Sequence, residues 1–442
     1  MISSLKTVFY NNLDEHMVEV VRGAGITFII KVLSAGFAFA FNVLLARIVG
    51  AEGAGIYFLS LTIVTISATI GRFGLENTFL RFVAAHAAKN EWGSVKGVFQ
   101  KGMLISVAVS TLISVLLFIL APILAQQLFH KSELEMPLRL MALAVVPLAL
   151  YWLIAEALKG VKKIRDSQLV QGLIFPVLTC AGLFLLCDDS GVESVASIYT
   201  IGAFIVLLCG FFFWRRAVSG FKESVVAYSW KKILNSCTPL LWIQLMYLVM
   251  QWSSILLLGI WGTKAEVGVF GVASRTAMLT NFILVSVNSI VAPKFSALYC
   301  LGDMDGLAVI ARKSTKMMTA FATPILLVFV IFPNFVMSIF GESFSGGGVF
   351  LIILSIGQFV NVATGSVGYL LIMTGNERLM RNNTLVVGSL SILLNVIFIP
   401  LLGALGATIA TSFAMAVLNL GAFFLTWRKL GIWTLPFMGR GR

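Results

Sequence analysis

The strongest constraint on this chain is the run from Gly23 to Tyr57, GAGITFIIKVLSAGFAFAFNVLLARIVGAEGAGIY, which is long enough to cross a membrane yet carries a lysine. Between Gly23 and Leu45 only Thr27, Lys31, Ser34 and Asn42 are polar, and about 20 apolar residues suffice to span the hydrocarbon core as a helix. Thr27, Lys31, Ser34, Ala38 and Asn42 recur at three- and four-residue steps, so the polar and small groups share one helical face. That face must look at protein or water. Lys31 lies eight residues past Gly23, roughly 12 Å into the bilayer at about 1.5 Å per residue, too deep to reach the near interface, and an ionisable group at such depth marks a candidate functional site.

The remaining sequence obeys the same solvent. Hydrophobic residues make up 59% of the 442 and charged ones 12%, half the roughly 25% usual in soluble domains, and mean hydropathy is +0.97. A net charge of +13 would in a soluble protein suggest nucleic acid. Here most basic residues fall in short loops between apolar runs, which predicts membrane topology and no nucleic-acid partner. The spans are expected at 23–46, 54–75, 98–120, 137–158, 168–187 and 195–214, then at 237–260, 267–291, 317–340, 349–373, 383–402 and 404–426. Around them the chain divides into an N-terminal interfacial segment (1–22), an N-lobe (23–214), a connector (215–235), a C-lobe (236–427) and a tail (428–442). With the N-terminus cytoplasmic, 26 basic residues lie inside against four outside, so both termini are predicted to be cytoplasmic. Cys180, Cys187, Cys209, Cys237 and Cys300 form no CxxC pair and read as buried free thiols, with no metal site.

The halves repeat. LLARIVGAEGAGIYF from Leu44 matches LLLGIWGTKAEVGVFG from Leu256, and LKGVKKIRDSQLVQGL from Leu158 matches MTGNERLMRNNTLVVG from Met373. Six spans per half is an even number, so both halves enter from the same side and are related by an axis along the membrane normal, leaving a cleft between two similar lobes. The fold class expected is an all-α polytopic membrane protein of about twelve transmembrane helices in two pseudo-symmetric six-helix lobes.

Arg275 is the second intramembrane cation. Counted from Val267 it also lies roughly 12 Å deep, no Asp or Glu in the sequence is placed to pair with it or with Lys31, and two unpaired cations around a cavity suit an anionic ligand such as phosphate. The competing reading has both bonding helix-end carbonyls. Gln244, Gln251 and Ser254, with Asn281 and Asn288, form polar stripes in the seventh and eighth spans, and with Asn42 they suit a sugar-binding cavity or, equally, helix-to-helix hydrogen bonding. Arg72 and Arg81 follow the second span, at a cytoplasmic entrance facing lipid head groups or simply as positive-inside anchors. Pro147, Pro176, Pro239 and Pro324 interrupt spans.

The run LLARIVGAEGAGIYFLSL, GRFGLENTFLRFVAAHAAKN at the exit of the second span, VGVFGVASR in the eighth and IFIPLLGALGATIATS near the end resemble the Wzx-like polysaccharide-transport flippases of the multidrug/oligosaccharidyl-lipid/polysaccharide superfamily. That resemblance implies a non-enzymatic carrier, in a bacterial cytoplasmic membrane, that moves undecaprenyl-diphosphate-linked O-antigen or exopolysaccharide units between leaflets. It also implies contact with membrane lipids and partnership with a polysaccharide polymerase and a chain-length regulator. No cofactor motif occurs, which leaves a coupling proton or sodium ion, or the membrane potential, as the energy source. The alternatives are a cation-coupled drug or toxin antiporter of the same superfamily, which usually carries membrane-embedded carboxylates, and a membrane polymerase or ligase of lipid-linked sugars, which usually has a long outer loop.

Overall fold

A computed structural model describes residues 15–185, 191–221 and 223–435. Most of the expected interfacial segment, together with Cys187 and the loop aspartates Asp188 and Asp189, lies outside the described residues. The described chain is helical. One long helical run, Glu15–Gly71, is broken at Gly50, whose φ of 65° and ψ of −173° leave the helical region. Glycine alone takes that φ without strain. A straight helix would put Phe41 and Tyr57 about 24 Å apart, yet their ring centroids are 5.9 Å apart, so residues 15–49 (α1) and 51–71 (α2) fold back as a hairpin. Leu75–Ala88 (α3), Trp92–Ile123 (α4), Glu135–Ala142 (α5), Val145–Gly160 (α6), Ile164–Gln168 (α7), Ile174–Leu185 (α8) and Val192–Val218 (α9) complete the first half.

The second half opens with Trp230–Trp261 (α10), which turns at Gly262 into Lys264–Ala277 (α11). Asn281–Cys300 (α12), Met304–Ile331 (α13), Pro333–Ser338 (α14), Gly348–Thr364 (α15), Val367–Met373 (α16), Glu377–Leu402 (α17) and Ala404–Leu430 (α18) follow. Among the described residues nine helices are long and apolar enough to cross a membrane. One of them, Thr27–Gly71, is the hairpin and spans twice; α5 and α6, bent by 44°, form one more span; and α10, with 32 residues, forms the twelfth. Chain breaks recur about 212 residues apart, Gly50 with Gly262 and Gly191 with Gly403, as duplicated six-helix lobes require.

The expected fourth and tenth spans are broken. Pro147 cannot donate to the carbonyl of Leu143 four residues back, and the fourth span bends there between α5 and α6. Side chains cover the loosened carbonyls: Ser114 Oγ donates to Ala142 O at 2.7 Å and Thr200 Oγ1 to Leu140 O at 2.9 Å. The tenth span breaks at Gly365, φ 82°, where Thr434 Oγ1 donates to Thr364 O at 2.7 Å. Pro239, expected to interrupt a span, sits inside the unbroken α10. Of the cysteines, Cys237 is buried, but Cys300 is exposed at the end of α12, where the helix leaves the packed bundle.

The lobes meet where α2 crosses α11. Gly55 lies on the carbonyl of Lys264 and Gly268 on the carbonyl of Ala51, with no room for a Cβ at either. Ala51 is the repeat counterpart of Lys264 and Gly55 of Gly268, so the contact is reciprocal, as at a two-fold interface, and its small residues let the backbones touch. Around this hairpin end Arg47 Nε donates to Ile339 O at 2.8 Å, and Lys264 pairs with Glu133 and, at 3.6 Å, with Glu52. Lys131 Nζ donates to the carbonyls of Gly259 and Gly262 at 2.6 and 2.9 Å. Burial holds this ammonium below the ordinary lysine range, Lys264 adding to the effect and Glu266 opposing it.

At the opposite end, the connector end, the chain between α9 and α10 is strapped to the first lobe. Glu223 accepts from the backbone N–H of Gly93 at 2.7 Å, Val226 N–H donates to Gly93 O at 3.0 Å, and the Tyr228 ring lies against Phe82 and His86. One continuous apolar core fills the first lobe and crosses the seam as far as Phe340, Phe344 and Ile399. Among the described side chains of the second lobe, smaller clusters form around Phe295, Met318 and Phe423. Outward faces are apolar: Ile201, Leu208 and Phe212 on α9 are each more than half exposed, as lipid contact demands.

The seam generates a test. Gly268→Leu drives a side chain into the backbone of α2 and is expected to lower membrane abundance and the thermal midpoint of the solubilised protein severely, whereas Gly346→Ala, facing open space, changes neither. Equal behaviour of the two variants by immunoblot and thermal shift would refute the close crossing.

Candidate functional site

Arg275 stands in the last turn of α11, just before the helix loosens into a 3-10 step at Met278–Thr280. Its Nη1 donates to Gly271 O at 3.1 Å and its guanidinium lies 3.8 Å from the centroid of the Phe58 ring. Phe58 is there because Gly271, its own repeat counterpart, leaves space for the ring. The negative end of the α11 dipole and the ring face both favour the cation. Among the described residues no carboxylate pairs with it, and a guanidinium has five N–H donors, so most of its donor capacity is uncommitted.

Three cavities meet at this side chain. The first, about 320 Å³, runs through the first lobe past Asn42, Tyr57, Tyr151 and Tyr199 to Arg72. The second, about 420 Å³, lies in the second lobe among Gln251, Ser254, Gln358, Thr384 and Thr411. The third, about 410 Å³, lies between the lobes, with Ala35 and Asn42 of α1 on one side and Asn281 and Phe282 of α12 on the other. Arg275 lines all three, and none is lined by an Asp or Glu.

The sequence candidates separate into groups. Asn42, whose Nδ2 donates to Ala38 O at 2.6 Å, joins Arg275 in the first and third cavities; Asn281, accepting from Asn361 Nδ2 at 3.3 Å, lines the third and Gln251 the second. Lys31 lines none of them and makes no hydrogen bond or ion pair among the described residues. The two cations stand at different distances from the paired turns: Lys31 is about 28 Å of helical rise from Gly50 and Arg275 about 20 Å from Gly262. Gln244 lines none of the three, and Asn288 is buried away from all of them with its Oδ1 unpartnered.

Arg72 and Arg81 part company. Arg72 is buried at the foot of the first cavity, its Nε 2.8 Å from Glu76 at an angle that falls short of a hydrogen bond, with its guanidinium 4.8 Å from the Trp152 ring centroid. Burial holds Glu76 above the ordinary carboxylate range, Arg72 opposing, and Glu156 nearby bonds Lys159 at 2.7 Å. Arg81 is exposed and bridges the lobes at the connector end, donating from Nη2 to Ser236 Oγ at 2.8 Å. Sequence reasoning missed Gln358 and Thr384. A glutamine inside the apolar run of the tenth span is the same signal that marked Gln244 and Gln251.

A family model for polysaccharide biosynthesis proteins matches residues 20–299. The chain belongs to that family. Over 397 residues, 88% of this chain and 80% of the relative, it is 24% identical to a probable low-salt glycan biosynthesis flippase, Agl15, of Haloferax volcanii. Its fold is that of the lipid II flippase MurJ in an inward closed conformation, with TM-score 0.73, 16% identity and coverage of 90% and 87% of the two chains. It is equally the fold of an inward-facing multidrug resistance transporter of the MOP superfamily, with TM-score 0.75, 13% identity and coverage of 92% and 98%. This member of the polysaccharide biosynthesis family is thus a multi-pass membrane protein of two six-helix lobes.

The Arg72 pair is open to test. Arg72→Met leaves Glu76 buried without its counter-ion and is expected to cost about 3 kcal/mol, read as a lowered thermal midpoint; Arg72→Met with Glu76→Gln should recover most of it. No recovery in the double variant would mean that Arg72 stabilises through its contacts with Thr69 and Trp152 and not through the charge of Glu76.

Proposed function

We propose that the protein is a flippase that moves a lipid-linked glycan precursor across the membrane by alternating access around Arg275. The observation that carries this reading is the position of that guanidinium, shared by three cavities and matched by no carboxylate. A diphosphate brings two or so negative charges, and guanidinium binds phosphate oxygens through paired charge-assisted hydrogen bonds. Charge of the opposite sign in a site that excludes water is how a transporter lowers the barrier to an anion at the membrane interior. The lateral cavity between α1 and α12 supports entry of a head group whose lipid tail stays in the bilayer. Drug antiport, which calls on carboxylates for proton or sodium coupling, has no such group in the three cavities to support it.

In its finer form the substrate is an undecaprenyl-diphosphate-linked repeat unit for O-antigen or exopolysaccharide, carried in the bacterial cytoplasmic membrane and passed on to a polymerase with its chain-length regulator. With both termini cytoplasmic, the hairpin end faces outward and is closed by the α2–α11 crossing, while the cavities extend toward the cytoplasm. Asn42, Gln251 and Asn281 would then face the moving head group, and Arg72 would stand at its entrance. Lys31, further toward the cytoplasmic end of α1, is placed to meet the phosphates of arriving lipid before Arg275 does. The membrane potential, or a coupling proton or sodium ion, supplies the drive.

Arg275→Ala should be present at normal abundance and inactive, with Arg275→Lys retaining part of the activity because charge persists while the planar fork is lost. Lys31→Ala should slow transport less than Arg275→Ala. The measurements are surface glycan and lipid-linked oligosaccharide held on the cytoplasmic leaflet. Normal glycan at normal abundance in Arg275→Ala would remove the cation from the mechanism. Orientation is tested separately: an impermeant thiol reagent applied outside should label cysteines placed at Glu133 or Glu342 but not at Lys163 or Lys313, and the reverse pattern would invert the topology.

A further inference from the structure

The second-lobe cavity differs in chemistry from the first. Arg275 is its one charged lining residue. The remainder of its polar lining is amide and hydroxyl, and includes Gln251 on α10, Gln358 on α15, Thr384 on α17 and Thr411 on α18. Three of these side chains, Gln251, Gln358 and Thr384, make no hydrogen bond among the described residues. Gln358 is 7% exposed, and its Oε1 is sealed from solvent with no donor. No hydrogen bond engages either end of that amide among the described residues. A buried amide without partners is costly, and here it borders a space large enough for a ligand. Trp252 adds an aromatic wall beside it.

The geometry points to a neutral-sugar subsite in the second lobe, in which Gln358, Gln251 and Thr384 take the hydroxyl groups of the first sugar while Arg275 holds the phosphate that links it to lipid. The inference rests on the flippase reading and deepens it. Each pyranose hydroxyl both donates and accepts, as do amides and the threonine hydroxyl, so the pairing satisfies Gln358 whichever way its amide points. A cationic ligand finds no carboxylate there, and a purely apolar one leaves Gln358 unpaired. An acidic sugar meets a single cation already committed to phosphate, so the subsite discriminates in favour of uncharged sugars next to the phosphate.

The test uses the purified full chain in nanodiscs and two probes, undecaprenyl diphosphate alone and undecaprenyl diphosphate carrying one N-acetylhexosamine. Wild type is expected to bind the sugar-bearing lipid about tenfold more tightly than the bare one, as one or two well-made hydrogen bonds in a buried site allow. Gln358→Leu should abolish that ratio and leave affinity for the bare lipid unchanged. Thr384→Val, which keeps the side-chain shape, should reduce the ratio in the same direction and guards against misfolding in the first variant. Arg275→Ala should weaken both lipids in parallel. A ratio unaltered by Gln358→Leu and Thr384→Val, with Arg275→Ala still weakening both, overturns the sugar subsite and leaves the flippase reading standing. Failure of wild type to bind either lipid overturns both.

Discussion

Everything in this molecule hangs on the crossing of two helix backbones. At Ala51 and Gly55 against Lys264 and Gly268 the halves approach so closely that side chains are excluded, and dispersion between closely packed small residues, the main attraction available inside a bilayer, is largest there. Because the contact is reciprocal it fixes the lobes about one axis, and the diverging helices must separate away from it. The cavities are that separation. Arg275 stands on α11 where the three cavities meet, and Phe58 on the opposite lobe gives its guanidinium a surface to rest on.

The first and second lobes use this shared plan differently. In the first, aromatic hydroxyls and Arg72 line the space, with carboxylates confined to its foot, where Glu76 and Glu156 already face cations. In the second, Arg275 is the one charge, and amides and hydroxyls make up the other polar lining. A duplicated scaffold has thereby become a site with two chemically unlike sides and a single cation on the line between them. Such division suits a ligand that is itself divided, charged at one end and neutral at the other.

Much of this was legible in the sequence. Twelve spans followed from run length, and the duplication from LLARIVG and LLLGIWG, because both depend only on local composition and order. Arg275 was found because a guanidinium amid apolar residues is conspicuous in any register. Lys31 stands farther from the hairpin turn than Arg275 does: its helix is already formed at Glu15, whereas apolar composition begins only at Gly23, and composition does not mark where a helix that outruns the membrane starts. Gln244 and Asn288 carried the same signal as Gln251 and Asn281 but face other neighbours, since which side of a span meets the cavity is set by packing across the lobe. Phe58 on Gly271 was invisible for a related reason: the fit of a large residue against a small one between halves exists only once their register is known.

The reciprocity of the crossing also carries a record of how the chain arose. Gly55 and Gly268 each rest on a carbonyl of the other half, so a side chain at either one would open the crossing. Phe58 and Gly271 occupy equivalent places in the two halves yet have parted in opposite directions, one to a ring and the other to the space that receives it. After a duplication two copies are free to drift; here the seam holds some positions alike because each is the other's contact, and lets others change only as a pair.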